Sequence, residues 1–534
     1  MSSNFASAMT STAKTWNGAV SLNSPDITEK TNGRVSLFFK SVRGIDTSIL
    51  YEFLYKSALE NLTDTFLLVF NIRDCRGGKG ERELGRLSLI WLFINYPEDF
   101  IRVIHLIPEY GRWDDLMELW PGILDFTDNM EVKYRSNILD IKYSNLARLR
   151  QIQLYIVNIV GQQLVNDIIQ MNSGKPITVC AKWAPTENDS DDRKYGLINT
   201  LIRVMNITAK VYRKQYITPL RQYLNVVERY MCEKKWDQID YSKVPSCAMK
   251  RLKKAFARNS PKEFDEWKNK LKTGEVTVKA KQLFPHELIH EIRIKHKADE
   301  VCEAQWKILE EESKKLGSLI DSLFVCDVSS SMLSWGNDSE RKNNKTFCPM
   351  DVAIGLSLLG ANTVEGQFHN HIITFHDTPK FHLVNNESLF NRYTRLVKAE
   401  WGGTTNLQAT FDLILTKASI HGLSQKDMPK RVFIISDMQF DIADRSAYTN
   451  FQEIDRKYSE SGYKRPDIIF WNVCGSSLDF PVSVTDNGTA LISGFSPSIM
   501  SALINDKEFS PYSILRASLD SSRLAPIRAL FEPN

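Results

Sequence analysis

The sequence of 534 residues lacks any apolar run that approaches the roughly 20 residues needed to span a bilayer. Its first residues, MSSNFASAMTSTAKTW, contain no apolar core of the kind found in a secretory signal, and their Ser, Thr and Ala content predicts a short flexible arm. Hydrophobic residues make up 43% and charged residues 25% of the chain, as in ordinary globular domains. We therefore predict no membrane partner and more than one domain, because the chain is too long for one core.

The eight cysteines contain no C-x-x-C pair, and no histidine cluster lies near them in the sequence. This spacing excludes the usual patterns of structural zinc sites and small disulfide frameworks. Cys326 lies inside an apolar segment that we predict to be a core strand. We interpret the cysteines as reduced thiols and expect a cytoplasmic, reducing compartment, or a virion if the chain is viral.

Charge is distributed unevenly between the two parts of the chain. Residues 1–300 carry 45 Lys and Arg against 36 Asp and Glu, whereas residues 301–534 carry 23 against 28. The excess of cations is greatest in residues 201–280, with 19 Lys and Arg against 8 Asp and Glu. A basic first part joined to a mildly acidic second part favours a polyanion as partner of the first.

Strict alternation of apolar and polar residues is rare between residues 46 and 282, where apolar residues recur at helical spacing. Stretches that contain Gly or Pro separate the helical segments. The pattern predicts an all-α domain of HEAT-like helical repeats, although no clean internal repeat is present. Residues 1–45 are predicted to form an N-terminal arm and residues 283–320 a helical connector.

From residue 321 the pattern changes, and short apolar runs alternate with helical segments. This order predicts an α/β doubly wound, Rossmann-like domain over residues 321–505. Residues 506–534 show little periodicity and are predicted to form a C-terminal tail that packs back on a domain. The predicted fold class is a multidomain protein in which the helical repeat domain precedes the α/β domain.

Asp327, Ser329 and Ser331 follow the apolar residues 323–326 in the run DVSSS. A buried strand that ends here presents one carboxylate and two hydroxyls at its carboxyl edge, where open α/β sheets bind their ligands. These hard oxygen donors suit Mg²⁺ or Mn²⁺ better than Zn²⁺. The run alone is weak, because clusters of Asp and Ser after a strand are often only a turn.

Two later segments offer further oxygen donors. WGGTTN at residues 401–406 is a glycine-led loop before a helical pattern, and VFIISD at residues 432–437 is a second apolar strand that ends in an acid. In this order the three segments resemble the metal-ion-dependent adhesion site of von Willebrand A domains. The resemblance implies these ligands of Mg²⁺ or Mn²⁺: Asp327, Ser329, Ser331, Thr404 and Asp437, with Thr405 as the alternative to Thr404. The other interpretation is a domain that kept the fold and uses these loops only as caps.

The glycine turn at residues 76–80 has cations on both sides. Its glycines let a backbone approach a ligand closely, and the helix N-terminus that follows favours an anion. The turn is not a Walker A loop, because no Ser or Thr follows its lysine. It is interpreted either as a phosphate contact or as a turn between helices whose arginines pair with neighbouring acids.

The cations of residues 201–280 recur at helical spacing, which suits a phosphate backbone, and interleaved tyrosines could stack on bases. The alternative is that the tyrosines are core residues and the cations a solvated face. The candidate nucleic-acid-binding residues from both segments are Arg73, Arg76, Lys79, Arg82, Arg213, Lys214, Arg221, Lys250, Arg251, Lys253 and Lys254.

Four segments resemble an uncharacterised TROVE-like family of plant, fungal and large-virus proteins: TWNGAVSLNS with FFKSVRG near the start, FNIRDCRGGKGERELGR, LNVVERYMCEKKWDQIDYSKVPS and LFPHELI. More remotely, a helical domain followed by an A-type domain resembles the Ro autoantigen (TROVE) family. In that family a ring of HEAT-like helices is closed by a von Willebrand A-like domain, and the helical part binds structured small RNAs and RNA ends. The resemblance implies RNA as a partner of this chain.

His286, Glu287 and His290 match the H-E-x-x-H pattern of zinc metallohydrolases, but no third ligand is evident nearby. We therefore predict a non-enzymatic RNA-binding scaffold whose metal-dependent A-type domain recruits an acidic protein ligand. The first alternative is a protein–protein adaptor or structural component, including a virion component. The second alternative, a metallohydrolase, rests on the H-E-x-x-H match alone.

Overall fold

The structure is a computed structural model. It describes residues 12–14, 20–22, 32–129, 146–188, 192–193, 196–333, 347–375, 378–385, 387–398, 406–440, 450–475, 481–482, 487–496 and 510–532. The chain divides into two compact units. The first unit comprises Met1–Leu84, Tyr241–Lys253 and Phe264–Pro526, and the second comprises Gly85–Asp240, Lys254–Glu263 and Ile527–Asn534.

The described helices are numbered along the chain. Helices α1 to α7 are Asn32–Lys40, Thr47–Glu60, Leu62–Arg73, Arg82–Asn95, Pro97–Val103, Ile107–Tyr110 and Trp113–Asn129. Helices α8 to α15 are Leu146–Asn172, Cys180–Trp183, Leu197–Val204, Ala209–Val211, Thr218–Tyr223, Val227–Cys232, Ser246–Asn259 and Pro261–Thr273. Helices α16 to α23 are Pro285–Lys295, Glu300–Lys314, Pro349–Thr363, Leu389–Val397, Leu407–Ile420, Asn450–Glu460, Pro511–Leu519 and Ala525–Arg528.

The described strands form three sheets. Strands β1 to β10 are Thr12–Lys14, Val20–Leu22, Leu319–Ile320, Ser322–Asp327, Val364–Glu365, His371–Phe375, Lys380–Leu383, Arg431–Ser436, Asp467–Asn472 and Thr489–Ser493. Strands β1 and β2 form an antiparallel pair, and β3 pairs in parallel with β5. The remaining six strands form one sheet in the order β10-β9-β8-β4-β6-β7.

The six-stranded sheet is parallel except for its edge strand β7, which runs antiparallel to β6. The chain leaves β4 toward β6 and β7, then returns to β8 on the other side of β4. A topological switch point therefore lies between β4 and β8, where open α/β sheets bind ligands at the carboxyl ends of the strands. The predicted order of a helical part followed by a sheet with intervening helices is confirmed.

The central strands are buried on both faces, which explains their continuous apolar sequence. The rings of Phe324 in β4 and Phe433 in β8 stack with centroids 4.6 Å apart. Helix α18 packs against β4, and Gly360 permits this approach because a Cβ there would lie 2.2 Å from the ring of Phe324. This packing fixes the position of the strand end at Asp327.

The edge strand β10 is covered by the N-terminal part of the same unit. Ser493 Oγ in β10 donates a hydrogen bond to the carbonyl of Phe38 in α1 at 3.0 Å. The N–H of Gly475, just after β9, donates to the carbonyl of Arg43 at 2.8 Å. Helix α22 lies near the chain end and forms a 2.6 Å ion pair from Arg516 to Asp64 in α3. These contacts protect an edge that would otherwise expose unpaired backbone groups.

The second unit is built around the 27-residue helix α8. Its buried side chains Ile152, Ile156, Val160 and Leu164 recur every four residues and form one ridge toward the rest of the unit. Helix α10 packs against α8, and its Leu201 is fully buried. The predicted domain limits at residues 45, 282, 320 and 505 stay predictions. Within the described ranges, no helix is both long enough and apolar enough to cross a membrane.

Candidate metal centre at the carboxyl ends of the central strands

Two acidic side chains meet at the switch point between β4 and β8. Asp327 is the last residue of β4, and Asp437 directly follows β8. Parallel pairing of the two strands, with Cys326 opposite Ile435, brings both strand ends to the same edge of the sheet. Asp327 is fully buried and Asp437 is 4% exposed. The structure thus brings together the two carboxylates that the sequence motifs predicted as metal ligands.

Hydroxyl groups surround the Asp327 carboxylate. Ser436 Oγ donates to Asp327 Oδ2 at 2.6 Å, and the N–H of Ser329 donates to Asp327 Oδ1 at 2.9 Å. The hydroxyls of Ser329 and Ser331 lie 3.0 Å apart. All these groups lie on the turn after β4 or at the end of β8, so the strand ends determine their positions. Ser436 was not among the predicted ligands, although it precedes Asp437 in the same strand-ending motif.

The Asp437 carboxylate is held by its own turn. Its Oδ1 accepts the N–H of Gln439 at 3.1 Å, and Ser331 also forms a hydrogen bond to this carboxylate. Met438 has a positive φ of 67°, a left-handed conformation that is uncommon for a residue with a side chain. The N–H of Met438 donates to Ser436 Oγ at 3.0 Å. The turn at Met438 and the hydroxyls of Ser331 and Ser436 therefore orient the Asp437 carboxylate toward the serines that follow β4.

Electrostatics at this site favour a cation. Burial raises the pKa of Asp327 to about 7, with Asp437 as a further cause, although hydrogen bonds from Ser436 and Ser329 act in the opposite direction. Burial also raises the pKa of Asp437, against hydrogen bonds from Gln439 and Ser331. In the part of the chain that the structure describes, neither carboxylate forms an ion pair with Lys, Arg or His. Two buried carboxyl groups with raised pKa and no cationic partner are an arrangement that a divalent cation stabilises.

The donor set fits Mg²⁺ or Mn²⁺, because it consists of carboxylates and hydroxyls without nitrogen or sulfur. The predicted ligand Thr404 and its alternative Thr405 lie outside the described residues. Among the residues that are described, no group of three or more His, Cys, Asp or Glu side chains could hold a metal ion. The strand-end site is not such a group, since it has two carboxylates and draws its other oxygens from serines.

A row of polar side chains extends from this site across the sheet. Ser436 is paired in register with Asn472 of β9, which in turn is paired with Ser493 of β10. Asp327 lies beside Ser436 on one side, and Lys79 Nζ donates to Ser493 Oγ at 2.7 Å on the other. All five residues are buried. Sequence reasoning missed this row, although each strand pattern ends in one polar residue.

Lys79, predicted to contact phosphate, lies in the core of the first unit. Its Nζ donates to Ser41 Oγ at 2.9 Å and also to the carbonyl of Phe38, in addition to Ser493. Burial lowers the pKa of Lys79 to about 7, against the attraction of Glu81. The side chain is 1% exposed and cannot reach a nucleic acid. The glycine turn therefore inserts a cation between α1 and β10 rather than presenting it at the surface.

Two more of the predicted nucleic-acid-binding residues are buried. Arg73 is 4% exposed at the end of α3. Lys253 pairs with Asp299 at 2.7 Å and with Glu291, and although burial disfavours its charge, these acids raise its pKa. We therefore leave both residues and Lys79 out of any proposed nucleic-acid surface.

Three other predicted cations have protein partners. Arg221 donates to the carbonyls of Ala181 at 2.8 Å and Ala184 at 3.3 Å, so it fixes α9 and the residue that follows it. Arg213 forms an ion pair with Glu187. Lys250 pairs with Glu287 at 3.3 Å. The exposed residues of the predicted set are Arg76, Arg82, Arg213, Lys214, Arg251 and Lys254.

The H-E-x-x-H residues have packing and capping roles. Glu287 accepts the N–H of Phe284 at 3.0 Å and so caps the start of α16. His286 is buried and stacks on Phe284, and burial lowers its pKa to about 3. His290 Nδ1 lies 3.3 Å from Asp351 Oδ2. Since all three residues are used by the fold, we do not propose a zinc hydrolase.

Comparison with known proteins gives three matches. Residues 321–521 match the model of a domain of unknown function, DUF7788, and residues 129–319 match a second domain of unknown function, DUF2828. The chain is 30% identical over 483 residues to the uncharacterized protein L728 of Acanthamoeba polyphaga mimivirus. That match covers 86% of this chain and 80% of the viral protein. The boundary between the two matched domains falls just before β4, at the start of the sheet.

Proposed function

The chain belongs to the same family as the mimivirus protein, and on this premise we propose that it is a non-enzymatic binding protein with a divalent-metal site in its sheet. The observation that carries the proposal is the pair of buried carboxylates, Asp327 and Asp437, at the switch point of the sheet. A site of this kind binds a ligand at the metal and needs no nucleophile or general base. We propose that the ligand is an acidic group of a protein partner.

We further propose that the sheet with its helices is a von Willebrand A-like domain within a TROVE-like chain. The doubly wound order of the sheet supports this assignment, as does the DVSSS motif at the end of its central strand β4. The position of Asp437 at the end of the neighbouring strand β8 supports it as well. Fold resemblance alone does not establish what the domain binds.

The residues that would hold Mg²⁺ are Asp327 and Asp437, with the hydroxyls of Ser329 and Ser331 as further donors. When bound, the ion would supply positive charge and one coordination position for a carboxylate from outside the chain. Ser436 would orient Asp327 through the 2.6 Å hydrogen bond described above. The backbone N–H groups of Ser329 and Gln439 occupy one oxygen of each carboxylate and so fix the direction of the others.

The first test is the effect of Asp327→Ala on metal-dependent stability. Mg²⁺ at 100 times its dissociation constant stabilises a folded protein by about 2.7 kcal/mol, which corresponds to a rise on the order of 3–4 °C in the melting temperature of a unit as large as the first one. We expect this rise in the chelator-treated wild type and its loss in Asp327→Ala, measured by differential scanning fluorimetry. Asp265→Ala, an exposed surface acid, should respond like the wild type. Equal responses of the wild type and Asp327→Ala would refute the ligand assignment.

RNA binding by the helical part is the second function that we propose. It is supported by cations that stay exposed and have no protein partner among the described residues, Lys214 and Lys254, both in the second unit. Cations of this kind are available to phosphate groups, and their contribution falls as salt rises. Three cations of the predicted set are buried and three others pair with groups of the protein. The surface that is available to RNA is therefore smaller than the predicted set implies.

Fluorescence anisotropy with a small hairpin RNA that has a single-stranded end would test RNA binding across a salt series. Fewer counterions are released from the RNA when the protein makes fewer phosphate contacts. The double variant Lys214→Glu, Lys254→Glu should therefore weaken binding about tenfold or more and flatten the salt dependence. The double variant Lys417→Glu, Lys426→Glu, with the same charge change at two exposed positions in the sheet domain, is the matched control. A DNA duplex of equal length tests for general attraction to polyanions. Equal binding to both nucleic acids, or none at low salt, would favour the protein adaptor instead.

A further inference from the structure

One buried side chain joins the first turns of helices α20 and α21. Gln408, the second residue of α20, donates from Nε2 to the carbonyl of Asn450 at 2.9 Å and to the Asn450 Oδ1 at 2.8 Å. Asn450 is the first residue of α21. Both side chains are buried and both helices belong to the first unit. These two hydrogen bonds, the Gln408–Asn450 link, are therefore shielded from competition by water.

The Gln408–Asn450 link lies toward the carboxyl edge of the six-stranded sheet. Helix α21 carries the chain from the end of β8 back to the start of β9, and these two strands are parallel. A crossover between parallel strands begins at the carboxyl edge and ends at the amino edge. The first residue of α21 therefore lies toward the edge that holds Asp327 and Asp437, and the link brings the first turn of α20 to the same level.

Other contacts between the same two segments lie farther along the helices or beyond them. In the middle of the helices, Lys457 pairs with Asp412 at 2.8 Å. Shortly before β8 and β9 begin, Gln425 donates to the carbonyl of Lys464 at 3.2 Å and accepts the N–H of Lys464 at 2.7 Å. The two segments thus keep contacts that do not need Gln408, and the Gln408–Asn450 link acts mainly on the first turns.

The first turn of α20 directly follows the loop that offers a further metal donor. Thr404, which the resemblance to A-type domains implies as a ligand, precedes Leu407 by three residues in the sequence. Three residues of chain reach at most about 11 Å, so the start of α20 limits where Thr404 can lie. Asn406 fixes this start, because its Oδ1 accepts the N–H of Ala409 at 2.9 Å. Movement of the first turn would therefore change the positions open to that donor.

We propose that Gln408 is a positioning residue for the metal site, a role that rests on the metal-binding function proposed above. It holds the first turn of α20 against α21 and so restricts the loop before α20. Metal sites need such support from outside the ligands, because a donor that is free to move binds the ion more weakly. Packing alone does not account for a glutamine here. Its Oε1 is buried and accepts no hydrogen bond from the residues that the structure describes, which is unfavourable for stability.

Gln408→Leu is expected to raise the dissociation constant of Mg²⁺ about tenfold, measured by calorimetric titration of the chelator-treated full chain. Gln425→Leu is the matched control, because it removes two hydrogen bonds between the same two segments near the opposite edge of the sheet. Both variants should melt below the wild type in chelator, whereas only Gln408→Leu should bind Mg²⁺ more weakly. Equal Mg²⁺ affinity of the two glutamine variants would overturn the proposal and leave the metal site in place.

Asn450→Ala is a second variant on the other side of the link. It removes the Oδ1 acceptor but leaves the backbone carbonyl, so it should weaken Mg²⁺ binding less than Gln408→Leu does. The double variant should bind Mg²⁺ no more weakly than Gln408→Leu alone, because both substitutions break one link. Additive effects would overturn the proposal, as would an Asn450→Ala protein that binds Mg²⁺ as tightly as the wild type. A wild type that does not bind Mg²⁺ would overturn the metal site together with this role of Gln408.

Discussion

Asp437→Asn is expected to stabilise the metal-free protein and to abolish its response to Mg²⁺. The substitution removes one of two buried like charges while it keeps the size of the side chain and an oxygen that accepts the N–H of Gln439. Relief of desolvation and of repulsion from Asp327 should raise the free energy of unfolding at neutral pH, because the raised pKa of Asp437 means that the fold disfavours its charged form. The same change removes a metal ligand, so stabilisation by Mg²⁺ should be lost.

The pH dependence of stability should change in the same variant. The pKa of Asp327 in the folded protein, about 7, lies above its ordinary value of 3.8, so the folded state holds a proton that the unfolded state releases. Its contribution to stability is fully present below about pH 4 and is lost as pH rises through about 7. With Asp437 neutral, the pKa of Asp327 falls, and the metal-free variant should lose less stability across this window.

Thermal unfolding in chelator and in excess Mg²⁺, at several pH values, measures both effects. Asp265→Asn makes the same chemical change at an exposed acid and should resemble the wild type in both buffers. An Asp437→Asn protein that melts below the wild type in chelator would show that the two carboxylates do not repel each other in the fold. One that Mg²⁺ still stabilises as strongly as the wild type would exclude Asp437 as a ligand.

The carboxylate site could be predicted from sequence because its parts are local to strand ends. A buried parallel strand is recognisable from four to six continuous apolar residues, and the residue after it must lie at the carboxyl edge of the sheet. Asp327 and Asp437 both satisfy this rule, and adjacency of β4 and β8 brings them together. The sequence alone did not show which strands are neighbours, so the resemblance to a known site was needed to connect the two segments.

The role of Lys79 could not be predicted in the same way. Ser493 and Phe38, which it joins, are 455 residues apart, and nothing in a local pattern reports such a contact. A glycine turn beside cations has the same sequence whether its backbone approaches a phosphate or another segment of the chain. The structure shows the second case. The edges of sheets are usually covered by another segment, but this general rule does not identify the segment that covers β10.

The basic residues were predicted as one set because charge composition does not report burial. Arg221 donates hydrogen bonds to backbone carbonyls, and Lys253 pairs with two acids. Neither role can be recognised from the helical spacing of cations in the sequence. Only the exposed members of the set can bind a polyanion. Sequence composition therefore gives an upper bound on the nucleic-acid surface.

The glycine turn leads to the prediction with the largest expected cost to stability, Gly78→Ala. A Cβ at Gly78 would lie 2.2 Å from the backbone carbonyl oxygen of Asn71, which is held in α3 and also accepts the N–H of Lys79 at 2.9 Å. Backbone atoms cannot rotate away as a side chain can, so the turn must move. Movement of the turn would withdraw Lys79 from its acceptors in the core. We expect a loss of about 3 kcal/mol or more.

Gly77→Ala is the matched control, because it adds the same methyl group one residue earlier. A Cβ there would lie 3.2 Å from Asp74 Oδ2, a side-chain atom, and 3.5 Å from the side chain of Arg523. Its cost should stay within about 1 kcal/mol, since both neighbours can shift slightly. Thermal unfolding compares the two variants, and hydrogen exchange of the Lys79 and Glu81 amides, both bonded to α3, should accelerate in Gly78→Ala alone. Similar effects of the two substitutions would mean that the turn is not anchored against α3.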